Sequence, residues 1–198
     1  MIPRPWVVLL AAGAARRFGG PKLLARIGGE SLLRRSARVA LGSQPAGCIV
    51  VLGARASRLQ RELRGLPVEI VINRRWRSGL AGSLRAGIGA LPMTARSVLV
   101  LLADQPAIGP ADLVLLTAAW RRQPRAIVTA RAEDIRCPPA ILPRHTFAAL
   151  RRLRGETGAR RLLADPGRLV IEFEMPGAAL DVDRPEDLAR AARFAVLS

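Results

Sequence analysis

Residues Leu9 to Leu24 read LLAAGAARRFGGPKLL, and the segment that leads into them from Trp6 is apolar throughout. A run of strand length, Trp6 to Ala11, passes at Ala12 into small residues and glycines. That is how a buried strand opens into a loop at its carboxyl end. The loop closes on Lys22, and Lys22 is singular: of the 32 basic residues, 31 are arginine and this one is lysine. A compact ammonium reaches a phosphate oxygen as a point charge, with a geometry that a planar guanidinium does not share.

Outward from this loop, apolar runs of four to six residues alternate with segments of helical period. This is the pattern of an α/β domain with a mostly parallel central sheet. The runs predict strands at Trp6 to Ala11, Cys48 to Leu52, Glu69 to Ile72, Ser97 to Leu102, Ala126 to Ala130 and Leu169 to Phe173. Helices are predicted at Leu32 to Leu41 with Ser31 as cap, Arg58 to Leu63 after Ser57, and Ala81 to Leu91 before Pro92. Three more follow at Pro110 to Trp120, Arg144 to Leu153 and Pro185 to Leu197. No repeat, low-complexity tract or linker interrupts them.

A chain of 198 residues fits one domain, residues 1–198, and a domain of that size buries roughly 70% of the surface its unfolded form exposes. Cys48 and Cys137 lie 89 positions apart without metal-ligand spacing, which predicts two ordinary thiols in a reduced, cytoplasmic protein. The first apolar run is too short for a membrane span, and no basic segment leads into a longer apolar core, so no signal peptide is expected. A net charge of +17 raises the question of nucleic acid. The arginines, however, occur as scattered pairs, tyrosine is absent, and the few aromatic residues form no stacking platform. An anionic small substrate accounts for the charge more simply.

In sheets of this kind ligands bind outside the carboxyl ends of the strands, so three loops matter. Leu10, Ala11, Ala12 and Gly13, with Ala14 and Ala15, offer backbone N–H groups with little side-chain obstruction, a concave surface suited to a triphosphate. Neither the Walker loop nor the GxGxxG fingerprint is present. Arg17 and Lys22 add charge for phosphate oxygens. The other reading of this loop is a strand-to-helix turn built of small residues for packing. Asp104 ends the apolar run VLVLLA, where an unpaired charge is costly and a hard cation such as Mg²⁺ removes the cost. Asp183 offers a second carboxylate, although its place before Pro185 also suits a helix cap, and Asp181 stands close by as a substitute. In NRRWRSGLAGSLRAGI, Asn73 to Ile88, the residues Gly79, Gly82 and Ser83 allow close approach to a flat base or ribose, or else close a loop onto a helix with Ser83 as cap. His145, the sole histidine, stands at a helix start as a surface or capping residue.

Taken together, these segments resemble the nucleotidyltransferases of molybdenum cofactor maturation, most closely the cytidylyltransferases. LAAGAARRFGGPKLL resembles the family loop LAAGxSxRFGxPKLL, and Asn73 to Ile88 resembles its N-x-x-W-x-x-G-x-x-x-S-L-x-x-G element. LLADQP is similar to the metal-binding LxxDQP turn, PPAILPRHTFAALRRLRGETGARRLL to the segment ending G-D-x-G-A-R-x-L-L, and LDVDRPEDL to DIDTPEDL. The resemblance covers nearly the whole chain. It implies a Rossmann-like three-layer α/β/α fold of the nucleotide-diphospho-sugar transferase type, with a nucleotide-binding half at about 1–105 and an acceptor-binding half at about 106–198.

It also implies roles. A nucleoside triphosphate would lie over Ala11 to Gly13, with Arg17 and Lys22 at its phosphates and Mg²⁺ between Asp104 and Asp183. A terminal phosphate of molybdopterin would attack the α-phosphorus and pyrophosphate would leave. Ala12 follows the cytidylyl form LAAG rather than the guanylyl form LAGG, which favours CTP over GTP. Arg136 stands where the family has glycine and Glu156 where it has aspartate, so Gln105, Arg136, Cys137 and Pro138 are assigned to the acceptor side. Two alternatives remain: a transferase for another phosphorylated metabolite, and a non-catalytic carrier that delivers cofactor to a molybdenum enzyme.

Overall fold

The computed structural model describes residues 3–155, 159–165 and 167–195. Residues 7–11 of strand β1 (Trp6–Ala11) are buried on both faces, and that two-sided burial is why their sequence is apolar without alternation. Val7, Leu9 and Ala11 enter one core and Val8 and Leu10 the other, as the twofold period of a strand requires. β1 lies between two parallel neighbours, β4 (Cys48–Leu52) and β6 (Ser97–Leu102). β5 (Glu69–Ile72) extends the sheet beyond β4 to an edge. The small strands β2 (Arg26–Ile27) and β3 (Glu30–Ser31) pair apart from it.

On the first face pack α1 (Leu32–Gly42), α2 (Ala56–Glu62) and α4 (Pro110–Arg122), with Leu32, Leu59, Leu113 and Trp120 in the shared core. The opposite face holds α3 (Leu80–Ala90), α5 (Phe147–Arg152) and α6 (Arg160–Leu163) through Leu84, Ile88, Phe147 and Leu163. The chain closes with β9 (Val170–Glu174) and α7 (Asp187–Ala195). The result is the three-layer α/β/α arrangement. No described helix is long and apolar enough to cross a membrane.

The far half of the sheet departs from the prediction. A strand not foreseen, β8 (Ile135–Pro143), lies antiparallel between β6 and β7 (Ile127–Ala132), giving the order β5-β4-β1-β6-β8-β7-β9. Its sequence IRCPPAILP hides it, because proline cannot donate to a ladder. The chain solves this by skipping them: Ala140 pairs with Thr129 and Cys137 with Ala130, so Pro138 and Pro139 bulge out between adjacent β7 residues. The β7–β8 turn uses Glu133 and Asp134, both at positive φ.

Other boundaries shift. Ser57 does not cap α2, which begins at Ala56 after Arg55 in a left-handed conformation. α3 begins directly after Gly79, and Ser83 lies inside it rather than at its cap. His145 is exposed in a short turn, Arg144–Thr146, that precedes α5. Glu156 and the end of the predicted last helix lie outside the described residues.

Two hydroxyls, Ser97 Oγ and Thr117 Oγ1, are buried with no hydrogen-bond partner among the described residues. Removing such a group while keeping its shape recovers its desolvation cost. Thr117→Val is therefore expected to stabilise the protein by about 1 kcal/mol. Urea unfolding checks this, and a variant no more stable than the parent counts against it.

Candidate active site

The site lies along the sheet edge formed by the carboxyl ends of β1, β4, β5 and β6. β1 ends in the loop 12–21. Gly13 is exposed, and a Cβ added there would meet nothing within 4 Å. Among the described residues, no backbone carbonyl accepts from the N–H of Gly13, Ala14 or Ala15. Ala15 has φ 54° and Gly19 φ 71°, so left-handed residues bracket the turn Arg16–Phe18. Leu10 and Ala11 are strand residues, and the Leu10 carbonyl is taken by Ala103 N–H at 3.1 Å. What these two could offer a ligand is backbone.

Lys22 follows Pro21 and is 8% exposed, a rare degree of burial for lysine. Its Nζ donates to Asp104 Oδ2 at 2.6 Å and to Asp183 Oδ1 at 3.1 Å. Burial pulls the ammonium pKa down, but the Asp104 and Asp183 carboxylates outweigh it and the net direction is up. Arg17 Nη1 meets the other oxygen, Asp183 Oδ2, at 2.8 Å. Four of the residues singled out from the sequence thus form one cluster. A single ammonium bridges two carboxylates from different parts of the chain, a task for a point charge with several donors.

Asp104 is held by its backbone. Its carbonyl accepts from Val182 N–H at 2.9 Å, while Ser36 Oγ on α1 donates to the Ala103 carbonyl at 3.1 Å. Gln105, expected on the acceptor side, is buried, and its Nε2 donates to the Ala178 carbonyl at 2.7 Å. It ties the 176–183 segment to the end of β6. Asp183 does not cap α7 with its side chain. That work falls to Asp187, whose carboxylate accepts from Asp183 and Arg184 N–H and is held below the usual carboxylate range by the Arg184 bond first and the Asp183 bond second.

Asp181 keeps solvent on one side and is walled by protein on the other. That desolvation, then the charges of Asp104 and Asp183, raise its carboxyl to about 6, against the lowering effect of a Gln105 hydrogen bond and of Lys22. The sign is unfavourable to folding: stability contributed here falls as pH rises from 3.8 to about 6 and stays lost above that. Asp181→Asn is expected to stabilise the metal-free protein by on the order of 1 kcal/mol at pH 7.5, after allowing for solvent screening, and to change little at pH 3.5. Thermal melts at the two pH values check it, and equal shifts at both would contradict the assignment.

On the β5 side the structure adds two residues that the sequence did not assign. Asn73, buried at the end of β5, donates through Nδ2 to Ser83 Oγ at 3.1 Å and accepts from Arg75 N–H at 3.0 Å. Trp76 packs on Gly53, where an added Cβ would lie 2.6 Å from Trp76 Cβ and 2.7 Å from the Ala12 carbonyl. The Arg77 guanidinium sits 4.4 Å from the Trp76 ring centroid. Gly79, at φ 93°, turns the chain into α3, and Gly82 leaves room for Ser78 Oγ, which an added Cβ would meet at 2.4 Å. The tryptophan was legible only as part of a motif.

Arg136, Cys137 and Pro138 lie on β8 near the same sheet edge but outside the lysine cluster. Arg136 Nε and Nη2 donate to Glu172 Oε1 at 2.9 and 2.7 Å, and Nη1 to the Leu163 carbonyl at 2.7 Å. The Cys137 carbonyl accepts from Thr129 Oγ1 at 2.9 Å. Cys48 is buried at the far end of β4, where desolvation and then the Glu69 charge push its thiol up to about 12. It plays no part in the site.

The donor set suits a hard divalent cation. Asp104 and Asp183 present carboxylate oxygens close enough to share one ammonium, and Asp181 feels both charges. With a small-residue loop and two cations beside them, the arrangement is that of a nucleotidyltransferase, an enzyme that transfers a nucleoside monophosphate. The MobA-like NTP transferase domain family matches residues 7–170, and the chain belongs to this family.

The chain is similar to nicotine blue oxidoreductase of Paenarthrobacter nicotinovorans, with 32% identity over 92% of this chain and 94% of that one. It is also 31% identical to the purine catabolism protein PucB of Bacillus subtilis (strain 168), over 93% and 95% of the two chains. Among solved structures it superposes on Rv0371c from Mycobacterium tuberculosis H37Rv with a TM-score of 0.86 and 27% identity, covering 98% and 100% of the chains. A complex of Rv0371c with manganese gives a TM-score of 0.81 at 26% identity, over 96% and 99%.

Proposed function

We propose that the protein transfers CMP from CTP to the terminal phosphate of molybdopterin. In this reaction an acceptor phosphate oxygen attacks the α-phosphorus, the bond from that phosphorus to the bridging oxygen breaks, and pyrophosphate leaves with the electron pair. One observation carries the reading: Lys22 is buried between Asp104 and Asp183, beside a loop whose Gly13, Ala14 and Ala15 N–H groups have no backbone acceptor among the described residues. The Gly13, Ala14 and Ala15 amides bind the triphosphate, and Lys22 and Arg17 exchange their carboxylates for phosphate oxygens as it enters. Asp104 and Asp183 would hold Mg²⁺, which would supply charge neutralisation at the phosphates. The manganese complex of a similar protein supports a divalent cation.

Catalysis is then positioning plus electrostatics, and no covalent enzyme intermediate is needed. The loop residues and Gly79, Gly82 and Ser83 take the nucleotide, with Asn73 holding Ser83 in place. Ala12, where guanylyl enzymes of the resembling family carry glycine, favours cytosine. The acceptor lies toward Arg136, Cys137 and Pro138, and its phosphate exchanges with Glu172 for the Arg136 guanidinium. The motif resemblance across the chain supports molybdopterin over other phosphorylated acceptors.

Pyrophosphate release measured with each of the four nucleoside triphosphates, with and without molybdopterin, tests this. Release is expected with CTP and molybdopterin together. Release driven by GTP overturns the base assignment, release with a sugar phosphate instead of molybdopterin overturns the acceptor, and release with none overturns the activity.

A further inference from the structure

Asp183 reaches Lys22 and Arg17 from the last residues before α7, a place where a carboxylate ordinarily turns back to cap the helix. Here the capping comes from inside the helix. Asp187 Oδ2 accepts the N–H of Asp183 at 2.9 Å and the N–H of Arg184 at 2.7 Å. The two amides belong to the peptide units on either side of the Asp183 Cα. One carboxylate oxygen therefore pins both peptide planes that flank Asp183, and with them the direction of its Cβ. The preceding residue is fixed as well, since Val182 is fully buried and its N–H donates to the Asp104 carbonyl at 2.9 Å. The bond to Arg184 is the returning half of a capping box; the bond to Asp183 goes beyond helix capping.

We propose that Asp187 is a positioning residue, which aims the Asp183 carboxylate at the cation site by holding the two amides around it. This rests on the reading of Asp183 as half of a divalent-cation site. Without Asp187 the helix start frays, the peptide planes at Asp183 turn freely, and its carboxylate is released to cap the exposed amides. An acid that holds a ligand's backbone in this way does the work that partners of metal ligands do elsewhere.

The test is Mn²⁺ binding to the folded, nucleotide-free protein, followed by electron paramagnetic resonance, with melting temperature in parallel. Asp187→Ala is expected to weaken Mn²⁺ binding about 10-fold. Asp187→Asn, whose carbonyl oxygen can accept both amides, should bind within roughly threefold of the parent despite its lost charge. Asp187→Glu keeps an acid in the first turn, so the helix holds even where alanine compromises folding; its oxygen is displaced by a methylene, and a several-fold loss is expected. Ser31→Ala removes the cap of α1, where Ser31 Oγ accepts from Arg34 N–H. It should lower the melting temperature and leave Mn²⁺ binding unchanged. If Asp183→Asn weakens Mn²⁺ binding while Asp187→Ala and Asp187→Glu only lower stability, Asp187 is merely structural and the inference fails. If Asp183→Asn leaves binding unchanged, the cation-site reading fails first and takes the inference with it.

Discussion

Replacing Lys22 with alanine is expected to slow the chemical step by roughly 10²- to 10³-fold, the usual cost of losing a preorganised charge that acts on the transition state. Asp104 and Asp183 already hold the ammonium in place beside the loop, so a local exchange of partners is enough to bring it to the phosphate. The same substitution has a second, opposite consequence. Once Lys22 is gone the two carboxylates lose their internal counter-ion, and Mn²⁺ should bind the nucleotide-free protein more tightly than it binds the parent. Lys22→Arg should not restore the rate, because a planar guanidinium in that buried space cannot place one charge on both carboxylates in the same way. Single-turnover rates at saturating nucleotide, set beside a Mn²⁺ titration, separate the effects. A rate within fivefold of the parent would remove Lys22 from the chemistry.

Lysine 22 was legible in the sequence because it is the one lysine among 31 arginines. Its partners were legible in unequal measure. Asp104 stood out because a carboxylate at the end of an unbroken apolar strand needs an explanation. Asp183 competed with its own use as a helix cap, and only the backbone geometry shows that Asp187 takes that task. An acid in the first turn of a helix is too ordinary in sequence to be noticed.

The sheet shows the same division. β1, β4 and β6 announce themselves because two-sided burial leaves apolar runs without interruption. β8 does not, because two prolines break the pattern that its ladder accommodates by a bulge. Arg136 illustrates a different limit. Its charge was visible, but its partner Glu172 lies 36 residues away on β9, and no local pattern joins them. Gln105 likewise looked like a ligand contact beside Asp104, whereas its amide is bonded to Ala178, 73 residues later. Long-range pairing of this kind is set by sheet order, and sheet order was hidden by the unforeseen strand.

Asp104→Asn should have the largest effect of all, a loss of turnover of at least about 10³-fold, since it removes the charge that the proposed function assigns to the divalent cation and that also holds Lys22. The substitution is isosteric, and the Asp104 backbone carbonyl keeps its bond from Val182 N–H, so the connection of β6 to the 181–183 segment survives. Lys22 retains Asp183 as a partner. The loss of the Asp104 charge also relieves Asp181, whose carboxyl pKa should fall from about 6 because its neighbour's repulsion has gone. Three readouts therefore move in a fixed pattern: turnover collapses, Mn²⁺ binding weakens, and the melting temperature at pH 7.5 shifts by only a few degrees. Carboxylate titration followed by NMR reports the Asp181 change independently of any activity. Turnover within tenfold of the parent at saturating Mg²⁺ would show that the reaction does not need this carboxylate, and the cluster around Lys22 would then be an ion-pair network that fastens the 181–183 segment to the sheet.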